Sequence, residues 1–397
     1  MPLFRNPGFN VAQAFKFHML EAVYFHDASV MSLVFLDRKH YPMQSRFAMQ
    51  NKPLEVRTMK SVRLLDVKRI EPTDADLPRE GKSKVLIKVE LCGICGSDLH
   101  IWENGRPEGL IPGHELSGTV FDPGPAGGVL KAGDRVTAVP VNPCGTCSAC
   151  MSMQFNRCLN LMADAPGITT PGAFAEYFAI TAGSVRKMPD SMSFEEGAMV
   201  EPSAVALHAV NLAGIEPGDK VLIVGGGIIG LLSAAWARIC GAAHIGLSEM
   251  NAKRGEKALA LGDVDEVYDA RDPKLQKKLL ALTGGGFDKV IECAGPAPAV
   301  KSAIGATAHG AVVVLAGISY SDIPVSTMRI AMRELTLKGS YAYTLGEFDT
   351  TMDYIARKVL KTERFIDETI GLEGVQSAFT RLADPTGHVV KILVRPH

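Results

Sequence analysis

The run VLIVGGGIIG, Val221–Gly230, constrains this chain more than any other stretch. A short, continuously apolar strand leads straight into Gly225, Gly227 and Gly230, and the apolar residues Ile228, Ile229, Leu231, Leu232 and Ala235 continue at helical spacing. Glycine turns are common, but a turn wedged between such a strand and such a helix implies a βαβ unit. The first glycine permits the tight turn and the second lets backbone approach a pyrophosphate. The third lets the helix pack on the strand, so that free N–H groups at its start face phosphate oxygens. Glu249 stands nineteen residues after Gly230, where a carboxylate accepts hydrogen bonds from the adenosine ribose, and a 2′-phosphate there meets like charge. NAD is favoured over NADP on that ground. Arg254 is the neighbouring cation, read either as a cofactor contact or as a partner of Glu249.

Beyond this unit, apolar runs at Lys220–Val224, Ile245–Leu247, Lys289–Glu292 and Ala311–Leu315 alternate with helical stretches at Asn251–Leu261 and Pro273–Leu282. That alternation predicts a doubly wound parallel sheet. From Lys60 to about Pro202 the pattern changes to short strands broken by Gly and Pro, such as Lys84–Glu90, Gly118–Phe121 and Arg135–Val139. The tail reads as a helix over Gly346–Leu360 and a closing strand over His388–Val394. Two uncharged stretches, Val221–Ala237 and Ser302–Ser321, approach membrane-span length, but their glycines and flanks read as strand, turn and helix.

Charge excludes further classes. With 42 Lys+Arg against 43 Asp+Glu among 397 residues, the net charge of −1 exerts no long-range pull on nucleic acid or anionic lipid. Small molecules are the expected partners. Eight cysteines are too few and too clustered for a secreted disulfide scaffold, which places the protein in a reducing, cytoplasmic compartment.

Four of them, Cys144, Cys147, Cys150 and Cys158, have the spacing C-x2-C-x2-C-x7-C. Four thiolates on one looping segment close a tetrahedron around Zn²⁺ and leave no open corner, which makes a structural site. An iron–sulfur run has three residues before its last cysteine and usually a proline after it; here there are seven, then Leu159. Upstream, Cys95 in GICGSDLH and His114 in PGHE form a second candidate set. Catalytic zinc needs a third ligand, and Cys92, Cys240 and Cys293 are poorly placed for it. A carboxylate remains, either Glu115 or the Glu201 of VEP.

Taken in order, GICGSDLH, PGHE, the cysteine lobe, VEP and VLIVGGGIIG resemble the zinc-dependent medium-chain dehydrogenases, and among them the polyol, butanediol and threonine dehydrogenase branch. The resemblance spans Met59–His397. It implies an α/β chain with a mostly-β GroES-like catalytic domain, residues 59–204 and 341–397, and a Rossmann domain, residues 205–340. It also implies one catalytic and one structural zinc, and NAD-linked oxidation of a polyol, diol or other secondary alcohol by a homodimer or homotetramer. Cys95, His114 and Glu115 would surround the catalytic zinc, with Glu201 replacing a ligand or holding a metal-bound water. Ser97 would contact the substrate oxygen, and His100 would complete a proton path through the cofactor ribose to solvent. The stretch between His100 and His114 is a few residues shorter than in relatives, and it borders the substrate pocket.

Two other readings compete. A zinc-ribbon binding module conflicts with the single basic residue, Arg157, between Pro143 and Cys158. A zinc-free NAD(P)H reductase would have lost the Cys95 and His114 set. Residues 1–58 carry 9 of the 26 aromatic residues and no strand alternation, so they read as an appended arm, a targeting segment or a start codon assigned too early.

Overall fold

The computed structural model describes residues 58–78 and 84–397. The expectations for residues 1–57 fall outside them. Nucleotide-domain strands form a six-stranded, all-parallel sheet in the spatial order Glu266–Asp269, His244–Glu249, Lys220–Val224, Phe287–Glu292, Thr307–Leu315, Thr336–Gly339. This is the doubly wound order, and its direction of progression reverses between Lys220–Val224 and Phe287–Glu292, the position where ligands enter such sheets. Lys220–Val224 is apolar after its first residue because helices cover both faces of the sheet. Helix Ile228–Ile239 is almost wholly buried, and it shares one core with helices Val200–Ala213 and Leu345–Ala356.

Strands Lys84–Gly93, Glu115–Asp122, Arg135–Ala138 and Val185–Lys187 form a second, mainly antiparallel sheet. The chain's last segment returns to it: Ile392–Arg395 pairs with Lys84–Gly93, and Glu368–Gly371 lies parallel to Ile392–Arg395. A hairpin of Thr58–Asp66 and Arg69–Asp76 and helix Val375–Ala383 share the core of this sheet.

Both near-membrane-length stretches are strand, turn and helix, and no helix among the described residues is long and apolar enough to cross a membrane. Two boundaries differ from the sequence reading. The closing strand covers only Ile392–Arg395, because the N–H groups of Val390 and Lys391 donate to Asp367 Oδ2 (2.8 and 3.0 Å) instead of to a neighbouring strand. The preceding helix stops at Ala356, and Lys358 just beyond it has a left-handed φ of 58°. A strand that the sequence reading did not mark, Thr336–Gly339, lies beyond Thr307–Leu315 at one edge of the parallel sheet.

Candidate active site and metal centres

The four cysteine sulfurs of residues 144–158 lie within 4.8 Å of one another, and Cys144 Sγ is 3.9 Å from Cys150 Sγ. A zinc tetrahedron with Zn–S of about 2.3 Å has edges of about 3.8 Å, so the lobe fits the ion. Backbone N–H groups of Thr146 and Cys147 pull the Cys144 thiol down to about 5, whereas burial pushes Cys150 up to about 12. All eight cysteines are free thiols.

The second cluster is assembled from distant segments. Cys95 is the N-cap of helix Gly96–Asn104, and His114 and Glu115 open strand Glu115–Asp122. Their ligand atoms also lie within 4.8 Å of one another. Buried Asp98 joins the two segments: its carboxylate accepts from the N–H of Cys95 (2.9 Å) and of Gly113 (3.2 Å) and lies 3.6 Å from His114 Nδ1. Burial depresses the His114 imidazolium, but Asp98, Cys95 and Glu201 outweigh it, so its pKa stands well above the usual value. Glu115 has one carboxylate oxygen on Lys391 Nζ, while Oε1 is buried without a partner. A thiol, an imidazole and an unsatisfied carboxylate oxygen suit a borderline-soft dication with one corner left open.

Glu201 is buried nearby but stands outside this trio, so the structure brings Glu115 rather than Glu201 to Cys95 and His114. Burial lifts the Glu201 carboxyl to about 7, with Glu115 adding to the shift. The Ser97 hydroxyl donates to Cys95 Sγ at 3.1 Å and lies 3.4 Å from His114 Nε2. His100, one turn further on, meets Tyr320 edge-on at 5.7 Å, where helix Gly96–Asn104 faces the loop after strand Thr307–Leu315. The Tyr343 hydroxyl is buried facing Glu201, and burial first, then Glu201, Glu115 and Cys95, push its pKa well above the usual value.

At the glycine turn, Gly225 has φ 101°, and a Cβ on Gly230 would overlap the main-chain oxygen of Gly225. Gly227 caps helix Ile228–Ile239 and faces open space. Glu249 accepts from Gly226 N–H (2.5 Å) and Asn251 N–H (2.8 Å), so its carboxylate is held at the turn. Arg254, expected beside the ribose, is turned elsewhere: its guanidinium faces the main-chain oxygens of Leu382 and Val389 at 3.4 and 3.5 Å. The physical reason is the carbonyl-rich segment 382–389 lying over its helix, which sequence spacing does not reveal.

Sequence reasoning missed Lys391 and Tyr343. A lone lysine inside the apolar run VVKILV was a usable signal for the first; nothing marked the second.

Residues 81–190 match the alcohol dehydrogenase GroES-like domain, and residues 229–357 match the zinc-binding dehydrogenase domain. The chain is 30% identical to sorbitol dehydrogenase of Bacillus subtilis over 350 residues, covering 85% of this chain and 98% of that protein. Among solved structures, it resembles 2R,3R-butanediol dehydrogenase of Bacillus subtilis with a TM-score of 0.76 and 30% identity, covering 85% of this chain and 100% of that one. It also resembles a zinc-binding dehydrogenase of Sinorhizobium meliloti bound to NADP, with a TM-score of 0.77 and 34% identity over 85% and 99% of the two chains. At such identity over nearly the full length of its relatives, this chain belongs to the zinc-dependent medium-chain dehydrogenases, on the branch that holds the sorbitol and butanediol enzymes.

Proposed function

We propose that the protein interconverts a secondary alcohol of a polyol or vicinal diol with its ketone, using NAD, at a site built on Cys95, His114 and Glu115. The observation that carries this reading is the unsatisfied, buried Oε1 of Glu115 on the residue that joins a thiol and an imidazole in one ligand cluster. The sorbitol and butanediol dehydrogenase relatives supply the substrate class.

Bound zinc supplies a Lewis acid that eases loss of the hydroxyl proton, and bound nicotinamide supplies the hydride acceptor. The residues of the chain do the rest. The Ser97 hydroxyl, beside Cys95 and His114, would take the substrate proton as it releases its own, and His100, one turn further along the helix, would hand a proton to solvent. Glu201, with a carboxyl near 7, exchanges a proton close to neutrality while remaining buried. Asp98 keeps the imidazole of His114 oriented.

The cysteine lobe holds a second, structural zinc, giving two per chain. Glu249, held at the glycine turn, selects NAD, because a 2′-phosphate would meet its charge there, and the guanidinium of Arg254 faces the main-chain oxygens of Leu382 and Val389. The NADP-bound Sinorhizobium relative marks the opposite preference as the one to test. Residues 59–204 with 341–397 form the catalytic domain and 205–340 the nucleotide domain. The outer strand Thr336–Gly339 and the exposed Met328 and Met332 support a homodimer or homotetramer, and the unpaired thiols support a cytoplasmic setting.

The test is absorbance-monitored NAD reduction against polyols, vicinal diols, L-threonine and simple secondary alcohols, with chelator-treated protein alongside. Turnover of polyols or diols that disappears on chelation is expected. Absence of turnover on all four classes by protein carrying two zinc ions would overturn the substrate assignment.

A further inference from the structure

The proposed catalytic centre contains a buried cation that neither the ligand set nor the proton path uses. Lys391 has no exposed side-chain surface, an unusual position for a lysine, and the residues on either side of it are apolar. Its Nζ lies against Oε2 of Glu115 and donates to the main-chain oxygen of Ile94 at 3.0 Å. Room for the pair comes from Gly93 in the adjoining strand. A Cβ there would overlap Glu115 Oε2 and stand 2.9 Å from both Cε and Nζ of Lys391.

We infer that Lys391 is a positioning residue that holds Glu115 by Oε2, so that Oε1 is the single carboxylate donor presented to the metal. This rests on the reading of Cys95, His114 and Glu115 as the ligand set. A terminal carboxylate torsion is soft, so an untethered glutamate offers either oxygen or both. With Oε2 fixed on Lys391 and Lys391 fixed on Ile94, that rotation is stopped. The lysine also offsets the buried carboxylate when no metal is bound, and an unpaired buried charge would otherwise drive the site apart or force protonation. A cation near a dication is repulsive, but it stands on the far oxygen, and fixing the donor is the larger effect.

Zinc affinity of the full-length protein, measured by competition with a chromophoric chelator, tests this without reference to turnover. The cysteine lobe serves as an internal reference. Lys391→Met is expected to weaken zinc at the catalytic site by about 10–100-fold and leave the lobe unchanged. Glu115→Gln should weaken the same site, and adding Lys391→Met to it should cost little more, because both act through one carboxylate. Wild-type or tighter affinity in Lys391→Met, or losses that add in the double variant, would overturn the inference. A Glu115→Gln variant with wild-type affinity would instead remove the ligand reading and the inference with it. Should Lys391→Met fail to fold, Lys391→Gln keeps a donor against Glu115; a smaller loss is then expected, and no loss is the overturning result.

Discussion

The two metal-ligand clusters of this protein are built in opposite ways. In the cysteine lobe all four donors come from residues 144–158, and local N–H groups polarise their sulfurs, as at Cys144. In the other cluster the donors sit on a helix cap and a strand start, the tether comes from Lys391, and Glu201 arrives on a third element. The lobe is satisfied by its own backbone, and a fourth thiolate closes it. The catalytic cluster is left with an orphaned carboxylate oxygen, a raised Glu201 and a buried tyrosine hydroxyl. Unsatisfied polar groups are costly to bury, and here they collect around the Cys95, His114 and Glu115 cluster.

The largest test of that contrast is Cys95→Ser. Activity should fall by at least about 10³-fold and zinc from two ions to one per chain, with the thermal midpoint nearly unchanged. A collapse of the midpoint would show the catalytic cluster to be structural as well. Cys150→Ser should behave the other way: one zinc is lost and the midpoint drops by about 5–10 °C, while most of the turnover at 25 °C is retained.

A smaller effect tests the long-range ties around the catalytic cluster. His208, two turns beyond Glu201, bonds Glu347 at 2.9 Å, and Glu347 caps the helix that follows Tyr343 and Thr344. Burial raises the Glu347 carboxyl, but His208, the Thr344 N–H and Asn211 overcome it and hold it at about 2. A depressed acid contributes stability above its ordinary value that is lost as pH falls toward 2. Glu347→Gln should therefore cost on the order of 2 kcal/mol in urea unfolding at pH 7 and nearly nothing near pH 2, with lobe zinc unaffected. The smallest effect is expected at Glu249→Gln. NAD kcat/KM should drop about tenfold with little change for NADP, and equal losses with both cofactors would remove Glu249 from cofactor choice.

How much could be read in advance follows the same division. Strands such as Lys220–Val224 and Lys84–Gly93 are legible because burial on both faces, or on alternate faces, writes itself into the apolar pattern. Glu266–Asp269 and Thr336–Gly339 escaped because they are four-residue edge strands whose exposed sides carry polar residues. Helix Leu345–Ala356 ends where tertiary contacts, not a glycine or proline, turn the chain.

By itself the sequence determined what is decided within a few residues: the cysteine tetrad, the glycine turn and the alternation of strand and helix. Local spacing fixes which backbone groups and thiols can converge. Tertiary structure alone decided that Glu115 rather than Glu201 joins Cys95 and His114, that Lys391 pairs with it, and that Arg254 faces the main-chain oxygens of Leu382 and Val389. Those outcomes depend on which buried charges meet across 276 residues, as Glu115 and Lys391 do, and the pairing energy of buried groups leaves no mark in local spacing.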